Sequence, residues 1–98
     1  MSIVGHFSVF DKKAREYAPV FTAKNDDVAR RMVVQSLSGD CLLCRYPGDY
    51  YLAHLCDFDT ESGAIFFLED SDISVVASLV DLMPDELKRF ALDGSFTE

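Results

Sequence analysis

The chain lacks the long apolar run and the leader that would place it in a membrane or outside a cell. No stretch of its 98 residues approaches the ~18 consecutive apolar residues that cross a bilayer. The first residues also lack a basic segment followed by an apolar one, which is the pattern of a secretory signal. We therefore expect neither a membrane anchor nor secretion, and we expect the protein to act in a cytoplasm.

Cysteine is scarce and odd in number. Cys41, Cys44 and Cys56 cannot all pair, and without a secretory signal they are expected to stay reduced. The first two form a CxxC, which with His54 and Cys56 could complete a tetrahedral zinc site. Apolar residues inside the CxxC and the strand context of His54 argue against metal, and a thioredoxin-like strand-to-helix context is missing. We predict no cofactor and packing roles for the thiols.

A catalytic motif is also missing. His6 and His54 could be grouped with the acids Asp57, Asp59 and Glu61. A segment rich in Asp, Glu and Ser is more typical of a solvated turn, and neither a Ser-His-Asp set nor a paired-carboxylate geometry follows from this spacing. We predict that the protein is not an enzyme.

What is present is the composition of one small globular domain. The chain is 49% hydrophobic and 12% aromatic, with no internal repeat or low-complexity stretch. Its length suffices for a core without disulfides or metal. We predict an α+β core over residues 1–70, with residues 71–98 as an acidic, helical extension of the same domain.

Residues 46–69 predict a β-hairpin around which the fold is built. Residues 50–58 are apolar or aromatic on both alternating faces, which is typical of a central strand covered on both sides. Pro47 and Gly48 supply a turn before it. Residues 59–63 form a polar loop in which Gly63 can take a positive φ, and residues 64–69 return as a second strand.

The remaining elements follow from periodicity. Residues 3–10 alternate as a first strand, and residues 18–23 predict a short extended piece that Pro19 keeps off a central ladder. Residues 26–38 carry an apolar helical stripe, with Asn25 or Asp26 as N-cap and Gly39 as the C′ residue. The expected fold is therefore α+β: a small, mostly antiparallel sheet with one helix packed across it.

The C-terminal part is less well determined by its pattern. Residues 73–82 fit one helical face, yet they are β-branched enough to be a strand. A possible N-cap at Ser71 or Asp72 favours the helix. Pro84 and the acids after it predict a last helix over residues 84–92.

Charge is divided unequally between the two halves. Residues 1–49 carry seven Lys or Arg against six acids, and residues 50–98 carry two against eleven, within a net charge of −8. A polyanion is therefore expected to meet the N-terminal half. Single-strand binding needs cations for phosphates and flat rings for bases, and this half supplies both, with Tyr17 nearby. The candidate nucleic-acid-binding residues are Lys12, Lys13, Arg15, Lys24, Arg30, Arg31, Arg45 and Tyr46.

The alternative is an ordinary charged surface that Asp11, Glu16, Asp26 and Asp27 neutralise. Self-association is a separate expectation. A strand that is apolar on both faces, in a sheet of few strands, offers more apolar surface than the chain easily covers. We predict self-association as a homodimer or a higher oligomer, most simply a symmetric dimer, to which apolar tail residues contribute: Val75, Val76, Leu79, Val80, Leu82 and Met83.

Short signatures, in order, indicate a resemblance over residues 3–66. The chain resembles the small nonstructural protein of gokushoviruses, the Chlamydia-phage-like branch of the Microviridae, which are phages with circular single-stranded DNA. The matching signatures are Asp11-Lys12-Lys13-Ala14, Pro19-Val20-Phe21, Asn25-Asp26 with Ala29-Arg30, Tyr46-Pro47-Gly48-Asp49-Tyr50-Tyr51-Leu52, and Asp57-Phe58-Asp59 with Gly63.

The resemblance implies a non-capsid factor that acts in the host cytoplasm during phage DNA replication or packaging. Two hypotheses follow. In the first, the protein binds single-stranded DNA through its N-terminal basic face, with Arg30 and Arg31 carrying part of the contact. In the second, it is a protein-interaction module that captures a phage or host replication protein. The acidic tail departs from the resemblance and opposes DNA binding.

Overall fold

The computed structural model describes residues 2–67 and 73–96. Within these residues, six strands form one sheet, and the α+β fold is confirmed. The strands are β1 (Ile3–Asp11), β2 (Glu16–Tyr17), β3 (Phe21–Ala23), β4 (Tyr50–Asp59), β5 (Ile65–Phe67) and β6 (Ser74–Ser78). The helices are α1 (Asp26–Ser36), α2 (Leu42–Arg45) and α3 (Leu79–Leu82), with 3₁₀ turns at Pro47–Asp49 and Asp85–Phe90.

The two long strands β1 and β4 form the centre of the sheet. They pair antiparallel from Ile3 opposite Asp59 to Asp11 opposite Tyr50. The other edge of β1 pairs with β2 and β3, and the other edge of β4 pairs with β5 and β6, all antiparallel. The predicted central position of residues 50–58 is thus confirmed.

A bulge in β4 changes which side chains share a face. His6 pairs with Cys56 and Phe7 pairs with His54, so Leu55 is an extra residue between them. His54 therefore lies on the face of Phe7, and the two ring centroids are 4.7 Å apart. Strict alternation over residues 50–58 would put His54 and Cys56 on one face, and this expectation is wrong because the bulge puts them on opposite faces.

The helix α1 covers one face of the sheet and forms the core with it. Asn25 caps the helix, since its side-chain oxygen accepts a hydrogen bond from the backbone N–H of Val28 at 2.9 Å. The buried cluster joins strands, α1 and α3 through apolar side chains. Its members are Phe7, Ala23, Ala29, Val33, Tyr50, Leu52 and Leu79.

The helix ends earlier than predicted. The last helical residue is Ser36, and the N–H of Leu37 closes the final turn on the carbonyl of Val34. Gly39 is not a left-handed C′ residue, because its φ is not positive. Its lack of a side chain instead admits the ring of Phe90, which a Cβ at this position would hit. By contrast, Gly63 in the hairpin loop has φ +79°, as predicted.

The C-terminal part differs most from its prediction. The helix predicted over residues 73–82 was wrong at Ser74–Ser78, which is a strand that pairs with β4. The β-branched residues gain backbone partners along β4, and this outweighs their helical spacing. Leu79 then enters the core, fully buried. The predicted last helix is a 3₁₀ turn, and residues 68–72, which end the predicted second strand and include the proposed N-cap, lie outside the described residues.

The face of the sheet opposite α1 carries none of the described helices. We call it the open face, because the core cluster contains none of its side chains. The sequence predicted that β4 is covered on both faces. In the structure, the described helices all pack on the face that carries the core cluster, opposite the open face. None of the described helices is long and apolar enough to cross a membrane. From strand pairing, the open face comprises Val4, His6, Ser8, Phe10, Tyr17, Tyr51, Ala53, Cys56 and Phe58.

Candidate nucleic-acid interface

A four-residue loop between β1 and β2 presents three basic residues, which we call the basic tip: Lys12, Lys13 and Arg15. The Asp11 carboxylate stabilises the loop because it accepts hydrogen bonds from the backbone N–H groups of Lys13 at 2.9 Å and Ala14 at 3.1 Å. The N–H of Arg15 donates to the Asp11 carbonyl at 2.8 Å. Arg15 closes the loop with φ +60°, a conformation that favours glycine.

The basic tip is exposed, and no contact with the described residues neutralises its charges. In the described part of the chain, no carboxylate forms a salt bridge with these three residues, whereas Arg45 pairs with Asp40 at 2.8 Å. Lys12 Nζ donates to the carbonyl of Gly48 at 3.2 Å, which leaves its charge uncompensated. The tip is therefore available to an anion.

Three aromatic rings lie beside the basic tip on the open face, and we call them the aromatic cluster: Phe10, Tyr17 and Tyr51. The Phe10 ring centroid is 4.7 Å from that of Tyr17 and 5.2 Å from that of Tyr51. Tyr17 is 38% exposed. Burial, followed by the hydrogen bond and charge of Tyr51, raises the pKa of the Tyr17 phenol, so the ring is uncharged at neutral pH.

The hairpin register makes the tip and the cluster contiguous. Phe10 pairs with Tyr17, and the next pair, Asp11 with Glu16, is the last before the loop. The rings therefore lie one residue pair away from the cations. Proteins that bind single strands combine a cationic path for the backbone with rings on which bases stack. This corner of the sheet has both components.

The other predicted residues fall into two places. Lys12 donates through its N–H to the carbonyl of Asp49 at 2.9 Å, so the turn at Pro47–Asp49 lies against the tip. Arg45 and Tyr46 directly precede this turn, and Tyr46 is 36% exposed. These two residues are therefore on the chain segment that meets the tip.

The remaining three lie on or before α1, on the opposite side of the sheet from the aromatic cluster. The Arg30 guanidinium forms a salt bridge with the Asp27 carboxylate at 2.6 Å and donates a hydrogen bond to the Val76 carbonyl at 3.4 Å. Lys24 and Arg31 are exposed. The structure thus separates the α1 cations from the tip, which the sequence could not show.

The histidines do not come together. His6 lies on the open face against Phe58, with ring centroids 5.1 Å apart. His54 lies under α1, where its Nε2 is 2.8 Å from the Asp57 carboxylate and its Nδ1 is 3.8 Å from that of Asp26. The bulge in β4 therefore separates the two rings that the sequence allowed to be grouped.

The acids of the hairpin loop organise its backbone. The Asp59 carboxylate accepts the N–H of Glu61 at 2.9 Å and the hydroxyl of Ser62 at 3.0 Å. Asp59 N–H donates to the carbonyl of Ala64 at 2.9 Å. Hydrogen bonds, first that from the Glu61 backbone, lower the pKa of Asp59 despite the opposing effect of burial. This carboxylate stabilises a turn, as a solvated hairpin loop requires.

The cysteines lie in two separate places. The sulfurs of Cys41 and Cys44 are 3.2 Å apart at the start of α2. Cys56 is on the open face. Among the described residues, no group of three or more His, Cys, Asp or Glu side chains is arranged to hold a metal ion.

A family model described as Phage ORF5 protein matches residues 4–82 of the chain. No curated protein and no solved structure matches it. The matched span begins in β1 and ends with the last residue of α3. It therefore includes the basic tip, the aromatic cluster and the strand β6. Of these three features, only β6 lies outside the resemblance over residues 3–66 that the sequence indicated.

Proposed function

The chain belongs to the Phage ORF5 protein family, and we propose that it is a non-capsid accessory protein that binds single-stranded DNA during phage genome replication or packaging. The single observation that carries the proposal is that the hairpin register places the basic tip one residue pair away from the aromatic cluster. We further propose that the protein acts in the host cytoplasm, without a cofactor and without catalysing a reaction. The resemblance to gokushovirus proteins supports a single-stranded genome as the ligand.

The chemistry of the corner favours single strands over duplex. Base faces are available for stacking only when a strand is unpaired, and Tyr17 offers a partly exposed, uncharged ring to such a base. The phosphates that follow the base would reach the cations of the tip. A duplex offers phosphates to the same cations but no free base faces to the rings.

The charge distribution limits the affinity. Asp11 and Glu16 flank the tip, and the chain carries a net charge of −8. Long-range repulsion therefore opposes the local attraction at the tip. We expect weak binding that is measurable at low salt and is lost steeply as salt increases.

The experiment is a fluorescence-anisotropy titration of a labelled oligothymidylate at several salt concentrations. Three phosphate contacts at the tip would give a logarithmic salt slope of about −2, from about −0.7 per contact on single strands. The variant Lys13→Gln/Arg15→Gln removes two of these charges and should flatten the slope by about 1.4.

The matched control is Lys24→Gln/Arg31→Gln, which removes the same charge from the α1 side of the sheet. It should weaken binding less and keep the slope close to that of the wild type. If the α1 variant loses the slope and the tip variant keeps it, the contact lies on α1, as the sequence suggested for Arg31. If no protein binds at low salt, the DNA-binding proposal is wrong.

A second candidate is a protein-interaction module, and a specific observation favours it. In β5, Ile65, Phe66 and Phe67 are 56%, 47% and 81% exposed. Among the described strands, β5 pairs only with β4, which leaves its second edge unpaired. Exposed apolar edge strands pair with other chains unless they are protected. Self-association through β5, or capture of a phage or host replication protein there, is compatible with a DNA contact at the opposite edge.

A further inference from the structure

Cys41 and Cys44 lie side by side, and one of these residues is partly exposed while the other is buried. Their sulfurs are 3.2 Å apart. Cys44 is fully buried, and Cys41 is partly exposed. A disulfide bond is about 2.05 Å long, so the sulfurs need to approach by only about 1 Å more. The sequence argued against a redox pair from the missing strand-to-helix context, but this geometry does not depend on that context.

We propose that Cys41 and Cys44 form a reversible dithiol–disulfide pair that exchanges with a low-molecular-weight disulfide such as oxidised glutathione. Cys41 is the attacking thiolate, because it is the partly exposed residue of the pair and a disulfide in solution approaches from that side. Cys44 is the resolving thiol, because it is buried directly behind Cys41. This proposal is independent of DNA binding.

The surroundings of Cys41 and Cys44 also favour Cys41 as the attacking thiolate and Cys44 as the resolving thiol. Burial raises the pKa of Cys41, but hydrogen bonds from the Ser38 backbone, the Cys44 side chain and the backbone of Cys44 and Leu43 outweigh it, so the pKa lies below its usual value. Burial, followed by the hydrogen bond and charge of Cys41, raises the pKa of Cys44 to about 12. The thiolate is the nucleophile in exchange, so the lower pKa favours attack by Cys41.

The exchange is balanced in two steps. The Cys41 thiolate attacks one sulfur of oxidised glutathione, which forms a mixed disulfide and releases one glutathione thiolate. Cys44 then loses its proton to solvent and attacks the Cys41 sulfur, which forms the intramolecular disulfide and releases the second glutathione thiolate. Two protein thiols lose two electrons, and one glutathione disulfide gains them.

Cys56 supplies a matched control within the same chain. It is partly exposed, like Cys41, but it lies on the open face, apart from the other two thiols. Burial and then the charge of Asp57 raise its pKa, so it should be a poor nucleophile. If Cys41 reacts and Cys56 does not, the reaction depends on the pairing of Cys41 with Cys44 and not on exposure alone.

The test incubates the full chain in glutathione buffers of increasing oxidised fraction, quenches with acid, alkylates free thiols and measures intact mass. The wild type and Cys56→Ser should each form one internal disulfide, and excess reduced glutathione should reverse it. Cys44→Ser should accumulate a glutathione adduct on Cys41. In Cys41→Ser, adduct formation should be at least tenfold slower than in Cys44→Ser.

Two results would overturn the proposal. One is a Cys56→Ser protein in which both remaining thiols stay alkylatable across the whole glutathione series. The other is a Cys44→Ser protein that carries glutathione equally on Cys41 and Cys56. If Cys44→Ser or Cys41→Ser does not give the circular dichroism spectrum of the wild type, the Cys56→Ser protein decides alone, because it keeps the pair intact.

Discussion

The ring of Phe10 lies 4.7 Å from the ring of Tyr17, on the sheet face opposite α1. These residues form the second-to-last pair of the β1–β2 hairpin, one pair before the loop that carries the basic tip. Rings and cations are thus held together by backbone pairing rather than by long side chains.

The proposed stacking of a base at this corner predicts a large effect of truncating Tyr17. Tyr17→Ala should weaken binding of a single-stranded oligonucleotide by about 1–3 kcal/mol, which is the usual loss per stacked base. Tyr17→Phe keeps the ring but loses the hydrogen bond with Tyr51, and its affinity should stay close to that of the wild type. Equal affinities of Tyr17→Ala and the wild type in the anisotropy titration would exclude stacking at this residue.

Stability and binding should respond in opposite directions at Arg15. Arg15→Gly relieves the positive φ and should raise the free energy of unfolding by about 1 kcal/mol. The same change removes one cation of the tip and should weaken DNA binding. Urea unfolding and the anisotropy titration measure the two effects.

Ala14 in the same loop provides the control, since its φ is not positive. Ala14→Gly should lower the free energy of unfolding by up to about 1 kcal/mol, because glycine adds entropy to the unfolded chain. A loss of stability in Arg15→Gly would show that the left-handed conformation of this loop is wrong.

Leu79 tests whether the tail belongs to the core. This residue is fully buried and packs in the cluster with Phe7 and Leu52. Leu79→Ala should lower the free energy of unfolding by about 2–5 kcal/mol. Leu42→Ala, at a position that is 56% exposed, should change it by less than about 0.5 kcal/mol. Similar small effects in both proteins would mean that the tail is a dispensable extension.

The Asp59 carboxylate predicts a pH-dependent contribution to stability. Hydrogen bonds, first from the Glu61 backbone, lower its folded-state pKa, so its contribution is present above the unfolded-state pKa and is lost as pH falls through the folded-state pKa. Asp59→Asn should therefore be less stable than the wild type at neutral pH. The difference, measured by urea unfolding, should shrink as the solution is acidified below the ordinary carboxyl pKa. A difference that is the same at pH 7 and in acid would contradict this role.

The exposed edge of β5 predicts self-association. Phe67 is 81% exposed, and Phe67→Asp introduces a charge into this edge. If the wild type is a dimer through β5, light scattering should show that Phe67→Asp is a monomer. Leu92→Asp, at a position that is 67% exposed in the tail, should keep the state of the wild type. A wild-type protein of 11.0 kDa at micromolar concentration would exclude the dimer.

Local signals in the sequence predicted the parts of the fold that depend on local interactions. The strand over residues 50–58, the turn at Pro47 and Gly48 and the positive φ of Gly63 are all present in the structure. The bulge at Leu55 was not predictable, because it depends on how β4 pairs with the distant strand β1. The strand β6 was misassigned for the same reason: its backbone partners are residues of β4, twenty or more positions away.

In the candidate site, too, the groupings set by local sequence could be predicted and those set by the pairing of distant strands could not. The three cations of the tip are close in sequence, and their grouping could be predicted. The grouping of Phe10 with Tyr51 could not, because these residues are about forty positions apart in the chain and meet only through the pairing of β1 with β4. The pairing of Phe10 with Tyr17 could have been predicted, because both residues are aromatic and lie at equal distances on either side of a short polar loop.

The central claim is that a single strand binds the corner formed by the basic tip and the aromatic cluster. The most direct test is the change in backbone amide resonances of the isotope-labelled protein when an oligothymidylate is added at low salt. Binding at this corner should give the largest shifts at residues 10–17 and at Tyr51, with α1 little affected. Shifts confined to α1, or none anywhere, would contradict it.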